Sequence, residues 1–207
     1  MADPADRQTI YIVDDDPSVR DALSVVFDLE GFDARGFASG DEFLDAVGAA
    51  TPGCVLLDVH MPGRSGLDVL KALDMQTFPS PVFVISGQGD IPMAVSAIKL
   101  GAVDFIEKPF DADTVVQRVK DAIEALERQE KNRDATVFPG SDLLTPRERD
   151  VLKAITGGAS NKEAGRSLGI SPRTIEVHRA RIMEKLGARN AAELVRIVLT
   201  AHPGSNG

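Results

Sequence analysis

The chain has 207 residues, 43% of them hydrophobic and 27% charged, with a net charge of −9 and a single cysteine. Domains usually hold roughly 100–200 residues, so one or two soluble domains are expected and wholesale disorder is excluded. Apolar runs such as Cys54–Leu57 and Pro81–Ile85 are far shorter than the ~18 residues of a membrane span; the polar start Met1–Thr9 reads as no secretory signal, and one cysteine excludes disulfide scaffolds and cysteine-ligated metals. The expectation is a cytoplasmic protein with no membrane partner.

The charge is unevenly spread. Residues 1–120 carry 20 acids against 9 bases, and residues 141–207 carry 7 acids against 11 bases. A basic C-terminal part in an acidic chain hints at a polyanion as partner, although random scatter explains an excess this small equally well.

The first 120 residues alternate short apolar runs with amphipathic stretches. Thr9–Val13 predicts a strand, and Pro17–Leu29 a helix with Val19, Leu23, Val26 and Phe27 on one side. Phe32–Phe37 reads as a second strand, and Ser39 caps a helix carrying Phe43, Leu44 and Val47. Val55–Leu57 predicts a buried strand ending at Asp58, then a helix over Gly66–Leu73. Val82–Ile85 is a strand ending at Ser86; Asp90 caps a helix that runs to Leu100 and stops at Gly101. Val103–Ile106 is the fifth strand, with a last helix from about Asp111. Strands alternating with helices imply a parallel sheet covered on both faces. The apolar stripe Val115, Val116, Val119, Ile123 and Leu126 carries the last helix toward a polar stretch, Glu127–Asp134, where it acts as a stiff lever or frays.

Residues 143–201 read as helices only. Thr145-Pro146-Arg147-Glu148 is a capping box with proline at the first helical position, followed by Val151, Leu152 and Ile155. A short helix from Ser160 to Leu168, a tight turn at Gly169-Ile170 and a longer basic helix opened by Ser171-Pro172 form a helix-turn-helix pattern. Gly187 ends that helix, and Asn190 starts another with Leu194, Ile197 and Val198 apolar.

In an open α/β sheet, ligands bind beyond the carboxyl ends of the strands. There the predicted strands present Asp14-Asp15-Asp16, Asp58, Ser86 and Lys108. Clustered carboxylates suit a hard divalent cation such as Mg²⁺, and a hydroxyl beside a lysine suits phosphoryl oxygens. Any one of these residues alone is an ordinary turn former or cap; together they describe transfer of a phosphoryl group to a carboxylate.

Val13-Asp14-Asp15-Asp16, Leu57-Asp58-Val59-His60-Met61-Pro62-Gly63, Ile85-Ser86-Gly87 and Phe105-Ile106-Glu107-Lys108-Pro109-Phe110 resemble the receiver domain of bacterial two-component response regulators, over residues 9–125. The resemblance implies a flavodoxin-like (CheY-like) five-stranded sheet of order 2-1-3-4-5. It implies Asp58 as phosphoryl acceptor, Mg²⁺ held by Asp15, by Asp14 often through water, by Asp58 and by the carbonyl of His60, and Ser86 and Lys108 on the phosphoryl oxygens. Phe105 matches an aromatic that swings inward with Ser86 on activation, and His60 and Gln88 match positions that tune phosphoryl lifetime. Val95 and Lys99 lie on the implied dimer face.

The segment Leu144–Leu152, with Asn161-Lys162-Glu163 and Ile170–Gly187, resembles the LuxR-type helix-turn-helix domain. This is an all-α four-helix unit and places the chain with the NarL/FixJ group. The pattern implies that Glu176, Val177 and Ala180 face bases, that Thr174, His178, Arg179, Arg181 and Lys185 serve phosphates or flanking bases, and that Ile175, Ile182 and Leu186 are core. Gly165, where the family usually has alanine, is expected to loosen its helix.

The expected organisation is a receiver over 1–127, a linker over 128–142 and a DNA-binding domain over 143–207. The expected function is a phosphorylation-activated transcription regulator, not an enzyme of independent turnover. Its expected partners are a sensor histidine kinase, double-stranded DNA, a second copy of itself when phosphorylated, and RNA polymerase. A dehalogenase-type phosphatase, with Asp14 as nucleophile and Asp16 as acid/base, is the enzymatic rival; Pro17 and the lack of a cap domain count against it. An RNA-binding output is disfavoured by the basic helix-turn-helix pattern.

Overall fold

The computed structural model describes residues 7–48, 51–87, 91–131 and 140–200. The chain divides into two compact units, Met1–Ile123 and Glu124–Gly207.

In the first unit, five strands, β1 (Thr9–Val13), β2 (Asp33–Phe37), β3 (Cys54–Asp58), β4 (Val82–Ser86) and β5 (Asp104–Glu107), pair in the order β2-β1-β3-β4-β5. Every pairing is parallel. They alternate with α1 (Pro17–Leu29), α2 (Gly40–Val47), α3 (Gly66–Ala72), α4 (Ile91–Leu100) and α5 (Ala112–Lys131), which runs past Ile123 into the second unit. Helices on both faces explain why β3 and β4 are buried at every position and read as continuous apolar runs. The edge strand β2 is mostly exposed and carries Asp33 and Arg35, charges that blunt pairing with another chain. Tyr11, Phe37 and Phe43 pack edge to face, with the Arg35 guanidinium 5.1 Å from the Phe37 ring centre.

Local signals set the helix starts. Asp16 caps α1, its side chain accepting from the Ser18 N–H, and Pro17 follows at the first turn. Ser39 caps α2 and Ser65 caps α3 in the same way. The expected cap of α4, Asp90, and Gln88 lie outside the described residues. Helix α5 runs through Lys131, so the first residues of the expected 128–142 linker are helical. A 3-10 turn over Ser141–Leu143 takes its last two, and residues 132–139 lie outside the described segments.

The second unit packs α6 (Pro146–Thr156), α7 (Asn161–Leu168), α8 (Pro172–Leu186) and α9 (Ala191–Thr200). Both α6 and α7 begin with a complete capping box, Thr145 with Glu148 and Ser160 with Glu163, which satisfies two orphan N–H donors at each start. The core is Leu144, Val151, Leu152, Ile155, Ile170, Ile175, Ile182 and Leu194. Leu186, expected there, is only half-buried.

Gly165 is buried on α7, and its bare backbone has a packing role there. A Cβ there would lie 2.7 Å from the Ile170 carbonyl oxygen and 3.3 Å from the Pro172 nitrogen. The bare glycine lets α7 press against the turn that leads into α8.

Candidate functional site

The strand order reverses between β1 and β3, and this switch point is where an open α/β sheet leaves a crevice. Asp14, the residue after β1, is fully buried. Its Oδ1 accepts from the Asp16 N–H at 2.9 Å, and the Arg20 guanidinium of α1 donates to its carbonyl at 2.6 Å. Asp58 ends β3, also buried, with Oδ2 accepting from the His60 N–H at 2.8 Å. Behind it, Gly66 opens α3 so close to the strand that a Cβ would lie 2.2 Å from the Asp58 carbonyl oxygen.

Lys108 follows β5, and its N–H donates to the Ser86 carbonyl at 2.7 Å. That bond ties the lysine to the end of β4, where Ser86 is buried. The Lys108 ammonium lies 2.9 Å from Asp14 Oδ2 and 2.9 Å from Asp58 Oδ1, so one cation bridges two buried carboxylates. Burial pushes the Asp58 carboxyl above its usual range, although Lys108 opposes the rise. Burial pulls the Lys108 ammonium down, but Asp58 and Asp14 more than offset this and hold it above its ordinary value. Lys108 therefore stays charged at neutral pH.

Asp15 is exposed beside this pair. Asp14, Asp15 and Asp58 each offer a carboxylate oxygen within 4.8 Å of the other two. Three carboxylates around one ammonium leave an excess of negative charge, and hard oxygen donors of this kind fit a hard divalent cation. Asp16, by contrast, is committed to capping α1, and the Ser18 N–H holds its carboxyl below the usual range. Phe105 on β5 is half-buried; its N–H donates to Asp104 at 2.8 Å and its carbonyl accepts from Arg118 of α5 at 3.2 Å. On α4, Val95 is half-buried and Lys99 exposed, while Ala94, Ala97 and Ile98 face the sheet.

In the second unit, α7, Gly169 in the left-handed conformation and α8 form a helix-turn-helix. Arg173, Glu176, Ala180 and Glu184 are exposed along one stripe of α8, with Val177 half-buried beside them. Arg181 pairs with Glu184 at 2.9 Å. Arg179 is half-buried, and its guanidinium reaches Asn161 Oδ1 of α7 at 3.5 Å.

Three residues expected at phosphates or flanking bases are buried or paired within the unit. Thr174 and His178 are buried, on the same helical phase as Ile175 and Ile182, and their polar character concealed that phase. Lys185 Nζ lies 2.7 Å from Glu148 Oε2, a pair largely shielded from solvent. Glu148 also accepts from the Thr145 N–H at 2.8 Å, so Lys185 ties the end of α8 to the capping box of α6. The capping box was legible in sequence; its partner 37 residues away was not. The contacts of Arg20, Gly66, Asn161 and Arg118 join different elements and are encoded by no local pattern.

Among the described residues no helix is long and apolar enough to cross a membrane. Residues 10–120 match the family described as response regulator receiver domain, and residues 142–198 match bacterial regulatory proteins of the luxR family. The chain is 43% identical over 194 residues to the transcriptional regulatory protein FixJ of Bradyrhizobium diazoefficiens, covering 93% of this chain and 95% of that one. It is 40% identical to the response regulator protein TmoT of Ectopseudomonas mendocina, covering 92% of this chain and 88% of that one. The crystal structure of full-length FixJ from B. japonicum is similar at 42% identity with a TM-score of 0.57, covering 94% of this chain and 97% of that one. The chain thus belongs to the response regulators that join a receiver to a LuxR-type DNA-binding domain, a family of transcription regulators and not of enzymes.

Proposed function

We propose that Asp58 is the phosphoryl acceptor, with a phosphohistidine of a sensor kinase as donor. The observation that carries this is the Lys108 ammonium lying 2.9 Å from both Asp58 and Asp14. A cation already fixed there meets the charge of an incoming phosphoryl group without reorganisation. An Asp58 carboxylate oxygen attacks phosphorus, the P–N bond breaks, and the histidine nitrogen keeps the electron pair.

Asp14, Asp15, Asp58 and the His60 carbonyl are the groups that would hold Mg²⁺, whose bound form supplies charge neutralisation at the phosphoryl oxygens. Ser86, at the end of β4, donates its hydroxyl to one phosphoryl oxygen, and Lys108 pairs with another. Drawing Ser86 toward the phosphate vacates space for Phe105 to turn inward, which shifts a two-state equilibrium of the β4–β5 region. The α4–β5 face, with Val95 and Lys99, then pairs with its copy in a second molecule. Two copies bring two α8 helices to paired half-sites in the DNA major groove. There Glu176, Val177 and Ala180 face bases, and Arg179 and Arg181 serve the backbone. This reading places the protein in the cytoplasm, acting on transcription with RNA polymerase.

The test is labelling with acetyl phosphate. Wild type should acquire an acid-stable, base-labile phosphate that depends on Mg²⁺, and Asp58→Asn should acquire none. Labelling of Asp58→Asn at the wild-type rate would overturn the assignment, and mapping the label to Asp14 would favour the phosphatase chemistry.

A further inference from the structure

Helix α8 carries mostly basic charge, yet Glu176 puts a carboxylate at the centre of its exposed stripe. Near duplex DNA that carboxylate is repelled by phosphates. A hydrogen-bond donor on a base edge would offset that repulsion. In the major groove the donors are the exocyclic amino groups of cytosine and adenine. Adenine sets its amino group beside the N7 acceptor, which repels a carboxylate; cytosine has no such acceptor on its own edge.

The Glu176 side chain is also not left to choose its rotamer. Asn161, the first residue of α7, donates from Nδ2 to Glu176 Oε1 at 3.3 Å. The other end of the same amide, Oδ1, accepts from Arg179 Nη1 at 3.5 Å. Only one orientation of the amide places a donor on the carboxylate and an acceptor on the guanidinium. Asn161 therefore orients Glu176 and Arg179 of α8 from the preceding helix. Ser160 caps α7 and Gly165 lets that helix press against the turn, so the platform that carries Asn161 is itself fixed. A side chain oriented before binding loses less rotamer entropy at the base edge.

We infer that Glu176 is a specificity-determining residue that accepts from the amino group of a cytosine in the major groove, and that Asn161 is its positioning residue. This rests on α8 entering the major groove, as proposed above. Asn161 is not itself a base reader; it acts through Glu176 and Arg179.

Selection from a pool of randomised duplex DNA tests it, using the full chain treated with beryllofluoride and Mg²⁺. Wild type should enrich sites with a C·G pair at one position of each half-site. Glu176→Gln should convert that position to A·T, since a glutamine amide pairs bidentately with adenine, and should leave the other positions as they were. Discrimination at the position should change on the order of tenfold. Asn161→Ala should flatten that same position without altering the rest. Asn161→Asp keeps an acceptor for Arg179 and suits a helix start, but loses the donor to Glu176; it should flatten the position with no drop in thermal midpoint.

If Glu176→Gln changes no position, or changes one that was not C·G in wild type, the cytosine assignment is wrong although the DNA-binding reading stands. If the Asn161 variants weaken all positions evenly, Asn161 is a structural residue only. If activated wild type enriches no sequence at all, the placement of α8 in the groove fails and this inference with it.

Discussion

Asp58 and Gly66 show how much a single position decides. The raised Asp58 carboxyl means that a proton there favours the folded receiver. That contribution is complete below the ordinary carboxylate range and is lost as pH rises through the Asp58 value. A divalent cation at the proposed site would compete for the same oxygens, so its stabilising effect should grow with pH over that window. Thermal midpoints with and without Mg²⁺, measured from pH 4 to 8 in about five steps, should diverge as pH rises. In Asp58→Asn the divergence should shrink; a pH-independent gap in wild type would show that Asp58 is not a ligand. Gly66→Ala forces a methyl against the Asp58 carbonyl, a backbone atom that cannot rotate away. It should cost about 1–3 kcal/mol, as overpacked substitutions do, and slow acetyl-phosphate labelling by displacing the proposed acceptor. Unchanged stability and rate would mean that α3 shifts without disturbing β3.

At the scale of elements, the helix-turn-helix depends on how closely α7 meets the turn. Gly165→Ala places a methyl 2.7 Å from the Ile170 carbonyl, and the turn must move to admit it. We expect the second unit to lose about 1–3 kcal/mol in chemical denaturation, although alanine raises the intrinsic helix propensity by up to ~1 kcal/mol. The opposing signs make this informative: net stabilisation would show that the turn yields freely. Helix α8 gives the companion lesson. Its inward stripe is Thr174, Ile175, His178 and Ile182, and its outward stripe is Arg173, Glu176, Ala180 and Glu184. A substitution such as His178→Ala should therefore lower the stability of the second unit, through the void it leaves.

For the whole molecule, the proposed activation by dimerisation needs a face that is available and self-complementary. On α4, Val95 is partly open while Ala94, Ala97 and Ile98 are consumed by the sheet. Val95→Asp would set two carboxylates against each other across a two-fold axis. It should weaken the phosphorylated dimer at least about tenfold, equivalent to ~1.4 kcal/mol, while labelling of Asp58 proceeds normally. Sedimentation velocity of the beryllofluoride-treated protein reads this directly. Dimers of wild-type strength in the variant would move the interface elsewhere, and equal dimer populations in treated and untreated wild type would remove phosphorylation from the switch.

The sequence by itself determined the features whose causes lie within a few residues. Ser39, Thr145, Ser160 and Ser171 cap their helices through N–H groups only three residues on, so the motif and its partner are read together. The apolar runs of β3 and β4 and the acids at the strand ends gave the parallel sheet and the line of its crevice, because burial on both faces demands such runs. Only tertiary structure decided what depends on distant backbone. Lys108 meets Asp14 across 94 residues, and Lys185 meets Glu148 across 37; no local pattern encodes either meeting. Apolar residues at 175, 177, 180, 182 and 186 surround much of α8, so periodicity alone left its inward face undecided. Packing against α6 and α7 chose the face, buried two polar residues there, and left Glu176 outward within reach of Asn161.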